Sequence, residues 1–172
     1  MWTGLFVDLF ERTHETLHEL LPDLDAEELA WRPGPEANPI GWICWHALRV
    51  QDDHLAHLAG RSQVWQEHEG SDPSWVEIFA QPYPAEAIGY GHTSEEVAAF
   101  SADSARLLGY ADAVHARTLE VIDQLAGDDL QRIVDRRWDP PVTLGVRLVS
   151  VVNDVTQHVG QAAYLVGLLA SR

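Results

Sequence analysis

The chain reads as an all-α protein: one domain, residues 1–172, folded as a four-helix bundle with long connections after the second and third helices. Three observations predict this. Four segments repeat apolar residues at steps of three and four, the period of a helix buried on one side. No segment alternates apolar and polar residues as a half-buried strand does. All nine prolines lie between these segments or at their starts, where proline ends or opens a helix.

The first helix spans residues 2–21. Its expected inner stripe is Trp2, Leu5, Leu9, Thr13, Thr16 and Leu20, widened by Phe6 and Leu17, and Pro22 ends it. His14 and His18 have ligand spacing but point away from that stripe, among Glu11, Glu15 and Glu19, so a solvated face is expected. Residues 22–38 form a connector, with a short helical turn at Asp25-Ala-Glu-Glu and a rigid stretch at Trp31-Arg-Pro-Gly-Pro. Asn38 is expected to cap the second helix, with Pro39 at its first position. That helix runs to Ala59, and Gly60 stops it. Its stripe is Ile40, Ile43, Ala47, Val50, Gln51 and Leu58. His54 falls near the centre of the stripe, and His46, Asp53 and His57 share one flank.

Residues 60–93 are irregular, punctuated by glycine and proline, with a short helix expected near Pro73–Ala80. Trp65, Trp75, Phe79, Tyr83 and Tyr90 give this connection an aromatic face, suited to a pocket wall or to a cap on the core. Thr93-Ser-Glu-Glu reads as a capping box opening a third helix to about Ala126, with His115 on its inner face. The paired prolines make residues 127–142 extended or turning. Thr143 caps the fourth helix, whose stripe is Leu144, Leu148, Val151, Val155, Val159, Ala162, Val166 and Leu169.

Composition excludes several classes of function. The formal charge of −16 opposes a phosphate backbone and an anionic membrane surface. All eleven basic residues are arginine, which suggests a GC-rich coding genome. One cysteine, Cys44, excludes an internal disulfide and fits a reducing, cytoplasmic setting. Set among apolar neighbours, it reads as a buried small hydrophobe. No secretion signal or membrane-spanning run is visible.

The chemistry concentrates on the fourth helix. Asp154 and His158 are four apart, so they share a face beside the apolar stripe. An unpaired carboxylate is costly there. Bundles build metal sites from facing helices, and His46 is a possible partner, either as a ligand or as a half-buried hydrogen-bonding residue. Two nitrogens and a carboxylate suit zinc, nickel or another divalent transition metal, and three ligands leave a position open, as catalytic sites do. Arg147 lies on the same side and could neutralise Asp154 or grip a ligand carboxylate. Gln161 could support a ligand through a hydrogen bond.

The segments NPIGWICWHALRVQDDH, WDPPVTLGVRLVSVVNDVTQH and HVGQAAYLVGLL resemble the DinB-like superfamily. They are most similar to its actinobacterial branch, related to mycothiol-dependent maleylpyruvate isomerase and to mycothiol or bacillithiol S-transferases. The resemblance implies a four-helix bundle holding a divalent metal through one residue of the second helix and two of the fourth. Carried over, these are His46, Asp154 and His158. The commoner family pattern has histidine where this chain has Asp154. An acidic residue there is similar to the maleylpyruvate isomerase relatives and points toward the thiol-using branch. That implies a metal-dependent mycothiol S-transferase acting on a small electrophile. Two alternatives stay open. One is a metal-dependent hydrolase on the same scaffold, with Asp53 or His54 as base. The other is a non-catalytic, homodimeric module that binds a metal or a small ligand.

Overall fold

The computed structural model describes residues 2–172. Four long helices build it: α1 (Thr3–Leu20), α3 (Ile40–Ala59), α6 (Ser104–Asp123) and α7 (Leu144–Ala170). Between them lie three one-turn helices, α2 (Ala26–Ala30), α4 (Trp75–Phe79) and α5 (Ser94–Ala98), and a two-stranded hairpin of β1 (Ile133–Asp135) and β2 (Val142–Thr143). The helices pack in a ring, with α3 against α6 and α7, and α1 against the same two helices. No helix among the described residues is long and apolar enough to cross a membrane.

Helix α3 is the most enclosed element. Ile40 to Asp52 is buried without a break, because the bundle takes one side and the irregular connection covers the other. Burial of Arg49 and Asp52 is tolerated through a closed network. Asp52 accepts the backbone N–H groups of Val64 (2.9 Å) and Trp65 (2.8 Å) and the Tyr110 hydroxyl (2.8 Å). Arg49 donates to Gln63 (2.8 Å), Tyr110 (3.2 Å) and the Ala87 carbonyl (3.2 Å), and its guanidinium lies over the Trp65 ring. The connection is thereby strapped to α3 at both ends.

Several expectations are corrected. Pro39, extended at φ −77°, ψ 159°, is the cap of α3 in place of Asn38. The capping box at Thr93 closes only α5. Asp103 then accepts the Arg106 N–H at 2.8 Å and starts α6 afresh, so the third helix is two. Residues 127–142 include a strand pair, with Ile133 opposite Thr143 and Asp135 opposite Val142. Helix α1 turns inward only part of the expected face, Thr13 and Leu17, and adds Phe10. Phe10, Thr13 and Leu17 are buried, whereas Leu5 is 69% and Leu9 40% exposed. Both stripes have helical spacing, and the two aromatic rings of Phe6 and Phe10 bury more area than Leu5 and Leu9 would. On α6 the buried face is Leu107, Tyr110, Ala111, Val114, Thr118, Val121 and Ile122, rotated from the expected one. The α7 stripe is buried from Leu144 to Ala162, while Val166 and Leu169 are half-buried.

Candidate metal centre

Helices α3 and α7 face each other along the longest seam of the bundle. At one level of that seam, His46, Asp154 and His158 each offer a ligand atom, all within 4.8 Å of one another. The i, i+4 spacing on α7 aligns Asp154 with His158. The His46 ring meets the His158 ring edge-on, with centroids 4.8 Å apart.

Each histidine is oriented by a backbone carbonyl. His46 Nδ1 donates to Ile88 O, and His158 Nδ1 donates to Asp154 O at 2.8 Å. A carbonyl only accepts, so both Nδ1 atoms carry the hydrogen and both Nε2 atoms are left with a free lone pair. His46 is further fixed by the Trp42 ring stacked at 4.9 Å. Behind it Gly89, at φ +91°, comes so close that a Cβ there would lie 2.8 Å from His46 Nδ1. The irregular connection thus supplies both the orienting carbonyl and the backing of the first ligand.

The electrostatics match a cation site. Burial pulls the His46 pKa below its ordinary value, against the Ile88 hydrogen bond. His158 is raised, chiefly by its interaction with the Asp154 carboxylate. For Asp154, burial pushes upward, but the close approach and charge of His158, with the charges of His46 and His54, hold the carboxyl below its usual range. Its Oδ2 is sealed from solvent and accepts no hydrogen bond. The nearest donor, His158 Nδ1 at 3.4 Å, directs its hydrogen to the backbone. A buried carboxylate oxygen that accepts no hydrogen bond and has only the 3.4 Å contact with His158 is poorly compensated, and two nitrogens with one oxygen fit a divalent transition metal. The residues therefore fit such an ion.

The other predicted residues lie around this centre. His54 lies at the rim of the seam, its side chain 28% exposed, not at the centre of the buried stripe. Burial and then the charge of Arg147 lower its pKa, against the raising pull of Asp53 and Asp154. Asp53 accepts from Gln63 at 2.7 Å. Arg147 does not neutralise Asp154. It donates to Asp135 at 3.0 Å and lies 3.5 Å from the His54 ring nitrogens. Asp135 also binds Arg137 at 2.8 Å, and hydrogen bonds from Arg137 hold its carboxyl well below the usual range. Gln161 and His57 are exposed. Cys44 is fully buried, and burial pushes its thiol up to about 12.

Three participants were not legible in the sequence. Ile88 and Gly89 gave one signal, a glycine in an aromatic loop. Asp135 gave none, since strand pairing carries it to Arg147. The Arg49–Asp52 pair did give one: opposite charges three apart on one helix. His14 and His18 are a correction of another kind. They do not simply face water, because both rings meet Asp112 of α6. His115 stacks on His14 at 4.2 Å with its Nδ1 buried and unpartnered, so it is not a satisfied core histidine.

A family model described as the DinB superfamily matches residues 9–162. A crystal structure described as the conserved protein of a locus from Enterococcus faecalis is 32% identical, with TM-score 0.88, and the match covers 99% of this chain and 98% of that one. Comparison with curated proteins gives no match.

Proposed function

Because this chain belongs to the DinB superfamily, we propose that it is a divalent-metal-dependent S-transferase that joins a low-molecular-weight thiol, mycothiol in the first instance, to a small electrophile. The observation that carries the reading is the buried Oδ2 of Asp154, which accepts no hydrogen bond, beside two imidazoles whose Nδ1 atoms are already committed. Zinc is the first candidate for the ion and nickel the next. Bound there, the ion supplies Lewis acidity that brings a thiol toward thiolate near neutral pH.

The chain's own groups divide the remaining work. His46 and His158 present Nε2 lone pairs at fixed angles, so little reorientation is needed on binding. His54, held neutral by burial and by Arg147, accepts the proton leaving the thiol sulfur. The sulfur then forms its bond to the electrophilic carbon as the leaving group departs with its electron pair. Arg147, anchored by Asp135, keeps a positive charge at the rim for an anionic group on either substrate. Cys44, buried and protonated, does not compete as a nucleophile, consistent with sulfur arriving on a cosubstrate. Subunit pairing is supported by an exposed apolar groove between α1 and α7, lined by Leu5, Phe6, Leu9, Val149 and Val152.

The test is conjugation of mycothiol to monochlorobimane by zinc-loaded protein, followed by fluorescence. The expected result is a rate above the uncatalysed one that His158→Ala abolishes. A rate equal to background, or one untouched by His158→Ala, overturns the proposal. Turnover of a hydrolysable ester without thiol would move the reading to a hydrolase, with His54 as base toward water.

A further inference from the structure

We propose that His14, His18 and Asp112 form a second site for a divalent transition metal, separate from the triad between α3 and α7. The site lies in the seam between α1 and α6. The two seams share no helix, because α1 and α6 pack together on the side of the ring away from the α3–α7 pair.

The geometry is convergent. His14 and His18 are one helical turn apart on α1, so their rings project side by side, with centroids 4.5 Å apart. Both Nε2 atoms reach the same oxygen of Asp112, His14 at 2.8 Å and His18 at 2.7 Å. One donor atom from each of the three residues lies within 4.8 Å of the others. A tetrahedral ion with bonds of about 2.0–2.1 Å needs donor atoms roughly 3.3 Å apart, so widening the cluster by roughly half an ångström admits one. The ion would take the place of the two hydrogens now directed at the carboxylate, each neutral ring carrying its hydrogen on Nδ1 instead, so that both Nε2 lone pairs face the metal.

Two further observations separate this cluster from an ordinary surface pair. His115 lies flat on His14, 4.2 Å away and 13° from parallel, and so restricts rotation of the first ligand. Its buried, unpartnered Nδ1 leaves an unsatisfied polar atom beside the cluster. Glu11, Glu15 and Glu19 flank the two histidines along α1 and raise the local concentration of cations. The side chains of His18 and Asp112 are 39% and 57% exposed, so the ion enters from solvent without opening the bundle. Two imidazoles and a carboxylate select zinc, nickel or copper over calcium or magnesium, which prefer oxygen ligands.

The experiment is zinc titration of metal-stripped full-length protein, read by calorimetry and by competition with a chromophoric chelator. Wild type, His18→Ala, Asp112→Asn, His158→Ala and the His18→Ala/His158→Ala double variant are compared, with circular dichroism as the check of folding. The expected result is two ions in wild type, one in each single variant and none in the double variant. Cobalt substitution should give visible absorption from both sites, with one contribution lost in each single variant. Loss of all zinc in His158→Ala, or unchanged stoichiometry in both His18→Ala and Asp112→Asn, overturns the proposal. One ion in wild type that survives His158→Ala and disappears in His18→Ala supports it, while removing the site between α3 and α7.

Discussion

Gly89 illustrates how much of the centre depends on single atoms. Its φ of +91° already disfavours any side chain, and a Cβ would meet His46 Nδ1 at 2.8 Å and Trp42 at 2.9 Å. Gly91 has a similar φ of +79° but open space around it. Gly89→Ala is therefore expected to cost about 2–4 kcal/mol, strain and overpacking together, and to weaken metal binding by turning His46. Gly91→Ala should cost about 1 kcal/mol, from strain alone, and leave metal binding intact. Chemical denaturation and metal titration of the pair check this, and equal metal affinity in both would show that the Gly89 contact does not orient His46. At this scale the juxtaposition of the candidate donors was legible, because i, i+4 spacing puts Asp154 and His158 on one face whatever the tertiary structure. Ile88 and Gly89 were not, because the path of a long loop selects which carbonyl meets which ring.

Among elements, α3 and the connection that follows it form one unit, joined through Asp52 and Arg49. Burial raises the Asp52 carboxyl above its usual range, against the hydrogen bonds from Trp65, Tyr110 and Val64 and the charge of Arg49. Asp52→Ala would leave Arg49, which is 0% exposed, as a buried charge and would free two backbone N–H groups. The expected loss is about 3–5 kcal/mol, with the connection loosened before the helices. Urea denaturation and hydrogen exchange measure this. Slow exchange retained at Val64 and Trp65 would contradict it. The sequence-based expectation failed for α1 and the third helix for a shared reason. Periodicity identifies a helix, but two stripes of comparable hydropathy compete in α1. Only packing against α6 and α7 decides that Phe10 turns inward and Leu5 outward. The break before α6 came from Asp103, whose side chain offers a better start than continued helix through Phe100 and Ser101.

For the molecule as a whole, the bundle was legible because four periodic segments with intervening prolines leave few other architectures. The small hairpin escaped detection, since strands of two and three residues carry too little pattern. The triad joins α3 to α7, so a bound ion acts on global stability. At a free zinc concentration 100 times the dissociation constant, one site adds about 2.7 kcal/mol, or roughly 5–11 °C in Tm for a domain of this size. Thermal melts with zinc and with chelator should show this, and Asp154→Ala should reduce the shift. Without metal, that variant should lose only the modest contribution of the His158–Asp154 ion pair, about 1 kcal/mol or less.

The two halves of the centre also differ in when they are made. His46 and its orienting carbonyl at Ile88 lie on α3 and on the connection that follows it. Asp154 and His158 emerge only with α7, near the C-terminal end of this sequence. Arg49, Asp52 and Tyr110 all precede α7 in the chain, as do His14, His18 and Asp112, whereas two of the triad's three residues lie within it. An ion proposed for this seam would therefore find all three donors only once α7 has been added to the rest of the bundle.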